Sequence, residues 1–230
     1  MRINRYLSDS GYCSRREADR LIAQGRVKIN GQIAQLGQTV KAGDRVQADG
    51  QELSAGGRKV YLLLNKPRGI VCTADPREKY NVVDYLNYPE RVFPVGRLDK
   101  DTSGLLLLTN DGNFAHRVIS PKSEVEKLYY AKVDGLPDLS DCEAFQQGLI
   151  LADGTRCLPA RLELLGGNEC YVVVMEGKYH QVKRMLASRG KPVLALRRLA
   201  VGGLSLDSAL SPGGFRELTE TDLCRVFMGR

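Results

Sequence analysis

Apolar positions near the start of the chain follow a helical period. Ala18, Leu21 and Ile22 fall on one face of 15–24 while Arg16 and Arg20 lie together away from it, so the spacing predicts a helix over 15–24. Ser14-Arg15-Arg16-Glu17 has the S-x-x-E form of a capping box, and Gly25 supplies the left-handed residue that stops a helix. The period then switches to two. Val27 and Ile29 alternate with Arg26 and Lys28 as in a half-buried strand, and Asn30-Gly31 is a strong two-residue hairpin turn.

After a small, glycine-containing stretch at 54–59, read as a linker, the pattern becomes one of short β-branched or apolar runs bounded by Gly, Pro, Asn and Asp. Strands are predicted at 59–64, 104–109, 129–133, 161–165 and 170–175, and helices at 82–86, 114–119, 140–147 and 181–189. The strands are not separated by regular crossover helices. The expected class is therefore α+β: a small domain at 1–53, a linker at 54–59, and a domain at 60–230 built on a mixed, mostly antiparallel sheet with flanking helices.

Composition narrows the function classes. Apolar residues make up 43% of the 230 and charged residues 27%, as in a folded protein with a proper core. The longest apolar runs, such as 61–64 and 105–108, fall far short of the ~20 residues that span a bilayer, and no apolar segment follows the charged first residues as in a secretory signal. The expected location is the cytoplasm, away from membranes. The six cysteines form no CxxC pair and have no nearby His, which predicts reduced, structural thiols and no zinc site. No HExxH, GxSxG or GxxxxGK[ST] string occurs, so metal hydrolysis, acyl transfer and P-loop chemistry lose support.

The net charge of +7 suggests a polyanionic partner, and its distribution sharpens the suggestion. Residues 1–31 carry +4 and 176–198 carry +6, which leaves −3 for the rest. Arg184, Arg189, Lys191, Arg197 and Arg198 are expected to form a second basic zone beside a catalytic cleft.

Arg2-Ile3-Asn4-Arg5-Tyr6-Leu7, Cys13-Ser14-Arg15-Arg16-Glu17-Ala18-Asp19 and Gly25-Arg26-Val27-Lys28-Ile29-Asn30-Gly31 together resemble an S4 domain, a small RNA-binding module of α-L type. The resemblance implies phosphate contacts from Arg5, Arg15, Arg16, Arg20 and Lys28, which position RNA more than they read its sequence.

Farther on, Gly96-Arg97-Leu98-Asp99 with Thr102 and Gly104 resembles the catalytic motif of the pseudouridine synthases of the ribosomal small-subunit type. Leu64-Asn65-Lys66-Pro67-Arg68-Gly69, Glu126-Lys127-Leu128-Tyr129 and the basic motif at 176–185 resemble further motifs of that family in order and spacing. Making pseudouridine breaks the bond from uracil N1 to ribose, turns the base and rejoins it through C5. Nothing is oxidised and no group is imported, so no cofactor or metal is expected. The resemblance implies that Asp99 is the nucleophile or base, attacking C1′ or C6 or removing a C2′ proton. It implies that Lys183 is the cation that keeps Asp99 ionised against desolvation, and a helical-wheel count places Lys183 at the border of the apolar face of Val182, Met185 and Leu186. Tyr129 would stack on the flipped base, with Tyr130 as the core tyrosine, and Arg97 would displace the base or hold phosphate. Arg184 and Arg197 are expected RNA contacts. His180 is read as a structural, hydrogen-bonded histidine.

His180-Gln181-Val182-Lys183-Arg184-Met185 and Ile119-Ser120-Pro121 lean toward the enzymes that act on 16S ribosomal RNA, so the expected partner is 16S RNA in an assembling small subunit, met by a monomer. The strings at 10–19 and 92–101 resemble relatives acting on 23S RNA at least as well. A non-catalytic RNA-binding assembly factor is the alternative from another class, and Asp99, Tyr129 and Lys183 together argue against it.

Overall fold

The structure is a computed structural model that describes residues 1–54, 56–75 and 77–229. The chain divides into two compact units, Met1–Val60 with Pro89–Arg91 and Asn110–Gly112, and the remainder. The linker expected at 54–59 includes Ala55, which lies outside the described residues.

The first unit opens with a helix that the hydrophobic pattern does not announce, α1 (Ile3–Asp9), which buries Ile3 and Leu7 four positions apart. In α2 (Arg15–Ala23) the buried residues are Ala18, Leu21 and Ile22, as the spacing predicts. Ser14 Oγ accepts a hydrogen bond from the Glu17 amide at 3.1 Å. The Glu17 carboxylate faces Arg20 at 3.2 Å, so the expected capping box is half formed, its acidic arm drawn to a neighbouring cation. Strands β1 (Val27–Ile29) and β2 (Gln32–Ile33) flank Asn30-Gly31, both at positive φ (52° and 81°). With β3 (Val46–Ala48) and β4 (Gln51–Leu53) they form a sheet ordered β2-β1-β3-β4.

The second unit runs β5 (Tyr61–Lys66), α3 (Val82–Leu86), β6 (Phe93–Pro94), β7 (Ser103–Thr109), α4 (Gly112–Ile119), β8 (Lys127–Val133), α5 (Leu139–Gln147), β9 (Arg161–Gly166), β10 (Glu169–Val174), α6 (Gln181–Ser188), β11 (Val193–Val201), β12 (Leu204–Ser205), β13 (Phe215–Glu217) and α7 (Glu220–Val226). One sheet is ordered β13-β5-β7-β11-β8-β10-β9, with β12 on β11 and β6 on β7. Among the described strands every pairing is antiparallel except β7 with β11, where Arg197 and Arg198 face Ser103 and Gly104. The mixed, mostly antiparallel α+β class is as expected.

The run of four leucines at 105–108 is buried throughout, as required of a strand covered on both faces. Leu63, Leu105 and Leu107 pack with Phe114, Val201 and Val226, while Ala131, Val172 and Val174 pack with Phe145, Met185 and Leu186. Tyr130 faces Tyr171 edge-on with the ring centroids 6.5 Å apart and is only half buried, so it is not the core tyrosine expected. The central strand β11 departs from the expected pattern most. Its Arg197-Arg198 pair interrupts an apolar run, and the segment reads in sequence as an exposed basic zone.

Candidate active site

Asp99 sits in the loop between β6 and β7, which is held from below by an unusual pin. Lys66, the last residue of β5, is fully buried. Its Nζ lies 2.9 Å from the carbonyl oxygens of Pro67 and Thr102, 3.3 Å from that of Asp99 and 3.4 Å from that of Lys100. One ammonium thereby gathers the carbonyls of the loop, and burial pushes its pKa down. The Gly69 amide donates to the Lys100 carbonyl at 2.7 Å, and the Leu98 amide to Cys72 Sγ at 3.3 Å. Past the loop the chain must enter β7 against the backbone of β11. Gly104 has φ +104°, and a Cβ there would lie 2.1 Å from the Arg198 carbonyl oxygen, so only glycine fits.

With its backbone held, the Asp99 side chain stays 23% exposed and faces two basic groups from α6 and its lead-in. Lys183 Nζ is 3.2 Å from Oδ2, and His180 Nε2 is 3.4 Å from Oδ1. Lys183 also lies 2.6 Å from Asp101 Oδ1. Burial alone would lower the pKa of Lys183, but the hydrogen bonds and charges of Asp101 and Asp99 outweigh it and the net direction is up. The Lys183 hydrogen bond holds Asp101 below the usual carboxylate range.

Helix α6 is placed for this by Val182, Met185 and Leu186, all buried, which leaves Lys183 at the border of the apolar face as the wheel predicts. Its start is held by side chains of the motif at 176–185 to which the sequence assigns no role. Glu176 Oε1 accepts from the Leu158 amide (3.0 Å) and Gln181 Nε2 (2.8 Å), and Glu176 Oε2 accepts from Lys178 Nζ (2.6 Å). His180 itself makes no side-chain cap, adopts a left-handed φ of 48°, and stacks on exposed Tyr179 with centroids 3.8 Å apart. A non-glycine residue in that conformation costs energy and is held by its surroundings. His180, expected as a structural, hydrogen-bonded histidine, thus faces the Asp99 carboxylate.

Tyr129, half buried on β8, closes the cleft from the other side. Behind it, buried Arg198 donates from Nε to the Leu105 carbonyl (2.7 Å) and from Nη1 to the Tyr129 hydroxyl (3.4 Å). The cleft brings together Arg97, Asp99, Tyr129 and Lys183 between apolar walls from Leu98, Val174 and Leu196. It offers a carboxylate beside a lysine and a histidine, and an aromatic side chain. Among the described residues no group of His, Cys, Asp and Glu could hold a metal. The cysteines are free thiols.

The second basic zone is not a continuous patch. Arg184 pairs with Asp153 at 2.6 Å, Arg189 and Lys191 turn to Asp141 at 2.9 and 3.9 Å, and Arg198 is buried. Arg197 is exposed. In the first unit, Arg5 pairs with Asp9 at 3.3 Å and Arg20 with Glu17, while Arg15, Arg16 and Lys28 are exposed and make no ion pair among the described residues. No described helix is long and apolar enough to cross a membrane.

The sequence model of the RNA pseudouridylate synthase family matches residues 60–188, and that of the S4 domain matches residues 1–46. A ribosomal large subunit pseudouridine synthase B of Bacillus subtilis is 38% identical, covering 98% of this chain and 95% of that protein. A ribosomal small subunit pseudouridine synthase A of Vibrio cholerae is 35% identical, covering 99% and 100%. A crystal structure described as a pseudouridylate synthase superimposes with a TM-score of 0.73 at 33% identity, covering 98% of this chain and 99% of that one.

Proposed function

The chain belongs to the RNA pseudouridylate synthase family, with an S4 domain ahead of the synthase region, and on that premise we propose that it isomerises a uridine of ribosomal RNA in the Asp99 cleft. It is an isomerase acting on RNA, and needs neither cofactor nor metal on this reading. The observation that carries the site assignment is the meeting of Asp99, Tyr129 and Lys183 in one cleft, although Tyr129 and Lys183 lie 30 and 84 positions along the chain from Asp99.

A uridine in structured RNA must leave its stack to expose the glycosidic bond. On our reading the base enters the cleft, Tyr129 stacks on it, and Arg97, exposed at the rim, holds the displaced strand. Asp99 then acts as nucleophile at C1′ or C6, or as base at C2′. Covering the cleft with RNA removes water from the carboxylate, and Lys183, 3.2 Å away, stays beside it as its counter-charge. Residues 1–53 grip the RNA through Arg5, Arg15, Arg16, Arg20 and Lys28, residues 60–230 do the chemistry with Arg184 and Arg197 as further RNA contacts, and a monomer suffices in the cytoplasm where ribosomal RNA is made.

The motif at 180–185 makes 16S RNA the first proposed target. The large-subunit relative, at 38% identity, supports 23S RNA as the second reading. The test is tritium release from 5-tritiated uridine in 16S and 23S transcripts and in assembling particles. Release from 16S by the native chain, abolished in Asp99→Asn, is expected. Release that survives Asp99→Asn overturns the role of Asp99, release from 23S alone overturns the first target, and no release from any substrate favours an RNA-binding assembly factor.

A further inference from the structure

The synthase unit buries two lysines, and their hydrogen bonding differs. Lys66 has three N–H groups and four carbonyl oxygens within reach, so its donors are satisfied. Lys127, the first residue of β8, is 7% exposed and meets one carbonyl, that of Met175 at 3.2 Å. Its charged neighbour is Arg198, 5% exposed, whose Nε and Nη1 already serve Leu105 and Tyr129. Burial and then the Arg198 charge push Lys127 down to about 8, and no carboxylate acts in the other direction. The one carboxylate that reaches the same cavity, Glu176, is already occupied by Leu158, Gln181 and Lys178.

Two like charges, each nine-tenths buried and lining one pocket, are costly unless something compensates them. Both line an open cavity with apolar walls from Val95, Leu107 and Val118. Arg97, Tyr129, Glu176 and Gly177 line this cavity and the Asp99 cleft alike, so the two spaces adjoin. We propose that Lys127 and Arg198, with Arg97 at the rim, form a second binding site that takes a phosphodiester of the RNA strand next to the uridine held at Asp99. This rests on the RNA substrate proposed above, in which the phosphodiester is the one anionic group. Lys127 brings two N–H donors without a described partner and Arg198 brings its Nη2, a set suited to phosphate oxygens. The site would draw the backbone in as the base goes to the adjoining Asp99 cleft, so part of the binding energy of the strand goes to holding the base out.

The test follows the Lys127 side chain by NMR in the native full-length chain labelled in lysine, its signal assigned by its loss in Lys127→Arg. Tetrauridylate is expected to raise the Lys127 titration midpoint by about one pH unit, as a nearby opposite charge does. Its uncharged methylphosphonate analogue should leave the midpoint in place, inorganic phosphate should move it less, and Lys66 should not respond to any of them. A midpoint indifferent to all three, or moved equally by the uncharged analogue, overturns the site. A midpoint moved by inorganic phosphate and not by tetrauridylate overturns the RNA assignment. On any transcript the chain modifies, Lys127→Met should raise KM about tenfold with kcat changed less than threefold, as for one charge-assisted hydrogen bond, and Lys127→Arg should restore it. Unchanged KM in Lys127→Met overturns the proposal. Asp99→Asn should keep the full tetrauridylate response, which separates a failure of the catalytic assignment from a failure of this one.

Discussion

Replacing Lys127 by methionine should make the protein more stable at neutral pH, which is the opposite of the usual result of altering a buried side chain. The ammonium titrates near 8 in the folded chain against 10.5 for an ordinary lysine. Folding therefore depresses the pKa, and the contribution of the group to stability is complete above pH 10.5 and lost as the pH falls through 8. At pH 7 the buried charge costs about 3 kcal/mol, from about 1.4 kcal/mol for each unit of depression. Methionine fills nearly the same volume without the charge. It forfeits the hydrogen bond to the Met175 carbonyl, worth about 1 kcal/mol, which leaves a net gain of about 2 kcal/mol. The gain must also shrink with pH, by about 2 kcal/mol between pH 7 and 9.5, as the native lysine sheds its proton. Urea unfolding of both proteins at the two pH values, followed by circular dichroism, measures this. A variant less stable than the native chain at pH 7, or a difference independent of pH, would refute the reasoning and make Lys127 a satisfied structural lysine.

Two further outcomes follow from the geometry. Gly104→Ala should lower stability by about 3 kcal/mol or more, since its Cβ meets the Arg198 carbonyl oxygen at 2.1 Å and φ is +104°, whereas Gly112→Ala, with nothing within 4 Å, should stay within about 0.5 kcal/mol; thermal unfolding compares them. Changing Arg15 and Arg16 together to Glu should weaken RNA binding across sequences and reduce the slope of log affinity against log salt by about 2, and an unchanged slope in filter binding between 50 and 200 mM salt would remove them from the phosphate contacts.

Much of this architecture is visible in the alternation of residue types. The helix at 15–23 and the hairpin at 30–31 follow from local spacing and turn chemistry, because both are satisfied within a few residues. Asp99, Tyr129 and Lys183 are legible through motif resemblance and not through spacing, since what joins them is sheet order. Strand β11 escapes notice because adjacent arginines on a strand point to opposite faces, one to solvent and one inward, while a sequence window averages them into a basic patch. Lys127 escapes for a related reason, although a signal exists. It stands in period two with Ala131 and Val133, on the buried face of its strand, so alternation alone places a charge where the core lies. The Glu176–Gln181 contacts that seat α6 carry no comparable mark.

The position of β11 between β7 and β8 has a consequence for how the chain comes to be assembled. The strands made earlier fall into two half-sheets, β5 with β7 and β8 with β10 and β9, which residues 193–201 join. Arg197 joins Ser103 across 94 positions, a long-range closure of the kind that folds slowly. Asp99 is carried by one half-sheet and Tyr129 by the other, so the cleft that unites them depends on β11.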